Sequence, residues 1–153
     1  MPVLDLKVPP LAVAAFMAML MWLASLALPA FGFVFPAQRL CAVILAVAGA
    51  ATIALGIASF QRARTTNNPM KPGSASSLVV SGVYAFTRNP MYLGLLLVIA
   101  GWAVFLSNVL AFVFLPVFVF YMNRFQIKPE ERALTARFGQ EFVAYKSRAR
   151  RWL

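Results

Sequence analysis

Three apolar stretches, each free of charged side chains, constrain this chain more than any other feature of its sequence. The first runs from about Leu11 to Leu28 and the second from about Leu40 to Phe60. Each is close to the roughly 20 residues needed to cross about 30 Å of hydrocarbon. The third, Met91 to Met122, is too long for one crossing, and Ser107-Asn108 near its middle predicts the turn of a helical hairpin. Its arms, Met91–Leu106 and Val109–Met122, are short for full spans, so frayed or interfacial ends are expected. Pro116 should kink the second arm. The expected fold is an all-α polytopic membrane protein with four transmembrane helices, followed by a C-terminal cytoplasmic amphipathic helix. It forms one domain over residues 1–153.

Composition agrees with a bilayer as the solvent. The chain is 62% hydrophobic and 12% charged, whereas a soluble domain carries about 25% charged residues. So little charge cannot cover a globule in water. A net charge of +10 then points to anionic headgroups and topology signals rather than nucleic acid. The lone Cys41 lies in an apolar run, where packing is its expected role and no intrachain disulfide can form. Histidine is absent and only four residues are acidic, which argues against a zinc or di-iron site. No metal is expected.

Four spans put the N-terminus, the segment between spans two and three, and the C-terminus on one side. Of 14 lysines and arginines, only Arg39 falls on the other. That asymmetry assigns the shared side to the cytoplasm, with a bacterial inner membrane as the expected location. Asp5 and Lys7 make a weak n-region, and the first apolar run is long for a signal peptide, so it reads as a span.

Two polar segments face that side. Gln61 to Asn89 contains Pro69, Pro72 and Gly73, which rule out a regular helix across its first half. Leu78 to Phe86 is mildly apolar and suits the interface. After span four, Pro129 suits a first helical position, and Glu130 and Glu131 complement the dipole of a first turn. Leu134, Phe138, Phe142 and Tyr145 then form one apolar stripe on a helix over about 129–147.

Within these segments, Ser77-Leu78-Val79-Val80-Ser81-Gly82-Val83-Tyr84 precedes Arg88-Asn89-Pro90-Met91-Tyr92-Leu93-Gly94. Glu130-Glu131 and Phe138-Gly139-Gln140-Glu141-Phe142, with Tyr145, follow. In order and spacing these stretches resemble the isoprenylcysteine carboxyl methyltransferase family and its phospholipid methyltransferase relatives, from about Thr65 onward. One departure is Asn89, where that family commonly has histidine. Asparagine donates and accepts hydrogen bonds but does not titrate.

The resemblance implies S-adenosylmethionine as methyl donor at the cytoplasmic membrane boundary. By position, its contacts would be Ser77, Leu78, Val79, Tyr84, Asn89, Pro90, Met91, Tyr92, Glu130 and Glu131. An arginine shortly before the Glu pair is linked in the family to the methyl-accepting group, and Arg124 is the nearest here. Methyl displacement mainly requires alignment in a water-poor pocket. An acceptor already ionised needs no base, so the lack of histidine favours a lipophilic carboxylate oriented by Arg124 or Arg88. A phospholipid amine is the alternative acceptor. Membrane lipids are the expected surroundings. Gly49, Gly56, Gly94 and Gly101 leave room for a lipid tail, or simply let helices pack closely. A small transporter and a non-catalytic membrane protein stay open as other classes.

Overall fold

The computed structural model describes residues 5–64 and 76–153. Pro69, Pro72 and Gly73, on which the irregular-loop expectation rested, lie outside the described residues. Helix α1 is Pro10–Ala27, α2 Gln38–Arg62, α3 Pro90–Leu106 and α4 Val109–Tyr121. A π-helical segment, Met122–Ile127, joins α4 to α5, Lys128–Phe138, and α6 is Gln140–Arg148. Short 3-10 turns cover Pro29–Phe31 and Gly82–Ala85. The fold is all-α among the described residues.

Among the described residues, three helices are long and apolar enough to cross a membrane: Pro10–Ala27, Gln38–Arg62 and the continuous run Val109–Phe138, whose apolar part ends at Met122. Helix α3, also apolar, has 17 residues. It packs against α1, α2 and α4. The large side chains turned outward are themselves apolar, for example Val109, Val113, Val117 and Phe120 along one face of α4. Water would penalise such a stripe, whereas lipid tails accept it. The chain is an integral membrane protein.

Local chemistry explains the far end of the bundle. Ser107 closes α3 in a left-handed conformation (φ 51°), and Asn108 caps α4 by accepting from the Leu110 N–H at 3.0 Å. The Asn108 amide also donates to the Leu28 carbonyl at 2.9 Å. The expected hairpin turn therefore lies at Ser107-Asn108.

The glycines resolve into a packing seam. A Cβ on Gly94 would lie 2.6 Å from the Gly49 carbonyl oxygen, and one on Gly101 2.8 Å from that of Ala42. Along this seam α2 and α3 are in backbone contact, which leaves no room there for a lipid tail. Gly94→Ala should therefore destabilise the protein by about 3 kcal/mol, since a main-chain carbonyl yields less than a side-chain tip. Thermal unfolding in detergent measures this, and an unchanged midpoint would contradict the close seam.

Two expectations about the C-terminal region need correction. The fourth apolar helix does not stop at Met122 but runs on into α5, whose first turn holds Pro129, Glu130 and Glu131 as expected. The chain passes through the π segment without a break. Pro129 has no N–H to give the Phe125 carbonyl, which instead accepts from the Leu6 N–H at 3.0 Å. Secondly, the single helix expected over 129–147 is two helices. Gly139 adopts φ +53°, a conformation glycine takes at little cost, and it ends α5. Leu134, Phe138, Phe142 and Tyr145 still meet in one apolar cluster with Val79 and Tyr84. Val79 and Tyr84 of the Leu78–Phe86 stretch are thus packed against the C-terminal helices rather than laid on the interface.

Candidate active site

The proline at the start of α3 suits a first turn, where its missing N–H costs nothing. That turn carries Tyr92, which is buried. The Tyr92 hydroxyl donates to Oε2 of Glu130 on α5 at 2.9 Å. Gln126, from the wide π turn, reaches the same phenol oxygen with its amide at 3.5 Å. Two stretches 38 residues apart therefore converge on one carboxylate. π turns of this kind recur at functional sites.

The apolar run of the long helix ends at Met122, so Glu130 lies beyond the span. Burial pushes its carboxyl up to about 7; the Tyr92 hydrogen bond works against this, and the Glu131 charge adds to it. On the 3-10 turn, the Tyr84 phenol is raised by burial and then by the Glu130 charge. Tyr84, Tyr92 and Glu130 share one electrostatic neighbourhood. Tyr84 also packs edge-on against Phe60 with ring centroids 5.3 Å apart, and its carbonyl accepts from the Tyr145 hydroxyl at 2.7 Å.

Beside this group is an ion-pair buttress that includes three of the expected site residues. Arg88 donates to Glu131 Oε1 at 3.0 Å and to the carbonyls of Lys146 and Ala149 at 3.0 and 2.6 Å. Arg151 holds the other side of Glu131, at 3.1 Å to Oε1 and 2.7 Å to Oε2. Burial works against ionisation of Glu131, yet the two arginines hold its carboxyl below the ordinary range. The Asn89 amide donates to the Arg151 carbonyl at 2.8 Å. Both expectations for the charged pair change here. Arg88 is committed to Glu131 and the end of α6 rather than free to orient an acceptor, and both Glu131 oxygens are already held.

The remaining residues are dispersed around these two groups. Ser77 donates to the Ala63 carbonyl at 3.4 Å, Leu78 is half-buried beside it, and Val79 is buried in the α6 cluster. Pro90 is fully buried, and Met91 meets Gly56 of α2. Arg124 turns toward the N-terminal segment, 3.8 Å from Asp5 and over the Phe125 ring. It makes no hydrogen bond or ion pair with Tyr92 or Glu130. Gln126 and Arg151 were missed in the sequence. Gln126 stands four residues before Glu130, a spacing that places two side chains on one helix face. That signal depended on the helix running through Pro129. Nothing local marks Arg151.

An apolar helical bundle with a buried phenol bonded to a half-buried carboxylate at one end defines a membrane protein with an enzyme-like site. The sequence model of the phospholipid methyltransferase family matches residues 37–141, well over half of the chain. The chain belongs to this family of membrane methyltransferases. An uncharacterized protein of Haemophilus influenzae is 44% identical over 63 residues, which are 41% of this chain and all of that relative. No solved structure matches significantly.

Proposed function

We propose that this protein transfers a methyl group from S-adenosylmethionine to a lipophilic acceptor at the cytoplasmic membrane boundary. The observation that carries this reading is the Tyr92–Glu130 hydrogen bond, which joins the two motif-bearing segments at one carboxylate. In this reading residues 1–153 are one domain with four crossings and both termini cytoplasmic, following the charge asymmetry. Helix α3 would be the third crossing. At about 26 Å it is a few ångströms short, a mismatch that local thinning absorbs.

The donor set fits such a ligand. S-adenosylmethionine supplies a methyl group on a sulfonium when bound. Glu130 would accept hydrogen bonds from its ammonium or ribose hydroxyls, while Tyr92, itself contacted by the Gln126 amide, holds the carboxylate in orientation. Tyr84 offers an aromatic face for the cationic or adenine portion. Ser77, Leu78, Val79, Asn89, Pro90 and Met91 are the proposed neighbouring wall. Glu131 and Arg88 act by fixing α6 and the C-terminal segment behind it. Arg124, whose contact with Asp5 is long, is the proposed cation on the acceptor side. The acceptor carries either a carboxylate or an amine. Phospholipid N-methylation is equally consistent with the family match; an ammonium acceptor would then lose its proton to water, because Glu130 is assigned to the donor.

Purified protein in nanodiscs should bind labelled S-adenosylmethionine saturably and pass label to a component of a lipid extract, identified by mass. Tyr92→Phe should weaken donor binding about tenfold, the effect of one hydrogen bond to a charged group. Absence of saturable binding by the unaltered protein would remove the enzymatic reading.

A further inference from the structure

We propose that the open groove beside α5 binds the phosphate-bearing headgroup of an anionic phospholipid. The groove has a volume of about 530 Å³ and is lined by Lys128, Glu131, Arg132, Thr135, Ala136 and Lys146. Its chemistry is one-sided. The single carboxylate in its wall is saturated by Arg88 and Arg151. Lys128 and Lys146 are exposed and make no ion pair among the described residues, Lys146 resting only over the Phe142 ring. Cationic character therefore prevails over the groove.

A second observation shows that one wall of this groove already takes an oxyanion. Arg132 holds the Asp5 carboxylate at 2.7 Å. The other Asp5 oxygen, Oδ1, is buried without a hydrogen bond and stands 3.8 Å from Arg124. A carboxylate brought in by the chain itself thus occupies part of the arginine surface. The lysines have no such partner.

The depth of the groove selects a lipid as the source of the anion. Lys128 lies six residues past Met122, about 9 Å along a helix at 1.5 Å per residue. The headgroup layer extends roughly 5–7 Å beyond the hydrocarbon on each side, and a lysine stem bends back over that distance. The ammonium of Lys128 therefore sits at headgroup level, and Arg132 follows one turn further out. Charge near an anionic leaflet is attracted at this range, and the attraction fades within a Debye length. This inference does not rest on methyl transfer, so its failure would leave that reading intact.

Native mass spectrometry of the full chain in detergent, titrated with phosphatidylglycerol or phosphatidylcholine, tests it. Phosphatidylglycerol should be retained in preference. Lys128→Gln with Lys146→Gln should reduce its affinity about thirtyfold, or about fivefold per lysine. Arg62→Gln with Arg64→Gln, which removes the same charge outside the groove, should leave affinity within about twofold. Helical circular dichroism verifies that each variant is folded. Equal retention of the two lipids would overturn the proposal, as would an equal loss from the Arg62/Arg64 pair. Displacement of the lipid by equimolar inorganic phosphate would assign the groove to a soluble anion and overturn it as well.

Discussion

Glu130→Ala should lower the affinity for S-adenosylmethionine at least about a hundredfold while the protein remains inserted and helical. Among the described residues only the Tyr92 hydroxyl bonds this carboxylate, so Oε1 is available to a ligand. Two charge-assisted hydrogen bonds lost to a cationic, hydroxyl-rich donor account for that magnitude. The stability of the protein should change little, because the partner left behind is a phenol rather than a buried charge. Glu130→Gln separates the two possible contacts. An amide keeps an acceptor for ribose hydroxyls but cannot neutralise an ammonium, so a loss equal to that of alanine assigns the carboxylate to the ammonium. Glu141→Ala, on the exposed side of α6, controls for the general loss of a negative charge. Equilibrium dialysis with labelled donor gives the affinities. Binding by Glu130→Ala within about twofold of the unaltered protein would place the donor elsewhere.

Residues with local or periodic signals were the legible ones. Uncharged runs of the right length marked the helices, and the Ser107-Asn108 turn was readable because serine and asparagine interrupt an apolar run. The resemblance put Tyr92 and Glu130 among the contacts of one ligand, and the two side chains share a hydrogen bond. What could not be read depends on contacts between distant segments. The π segment leaves no composition signature, and the continuity of the helix into Pro129 was hidden because its compensation, the Leu6 N–H on the Phe125 carbonyl, comes from the other end of the chain. Gly139 fell inside a regular apolar stripe whose spacing hid the break. Arg88 and Glu131 looked chemical because charges near a motif are scarce here. Only the position of Arg151 reveals that they neutralise each other.

That neutralisation leads to the second large effect: Glu131→Ala should destabilise the protein by about 3 kcal/mol. Arg88 is the reason. Its side chain is 12% exposed, and its Nε already lacks a hydrogen bond. Removing Glu131 leaves this guanidinium with two carbonyls and no counter-charge. Breaking one side of a buried ion pair costs about 3–5 kcal/mol. The lower end applies because Arg151, at 35% side-chain exposure, regains water when released and contributes little. Glu131→Ala with Arg88→Ala should then cost less than the sum of the single changes, since the double variant leaves no orphaned charge. The same term sets an acid limit. With the folded carboxyl held below its ordinary value of 4.5, the contribution is fully present above that value and is lost as pH falls through the lowered folded one. Thermal unfolding in detergent at pH 7 and pH 4 measures both effects. Limited trypsin digestion adds a local readout, because Arg151 and the Ala149 carbonyl anchor the C-terminal segment, which should be cleaved near Arg148–Arg151 sooner in Glu131→Ala. An unchanged unfolding midpoint together with an unchanged cleavage rate would show that Arg88 finds another anion, and the buttress would lose its structural role.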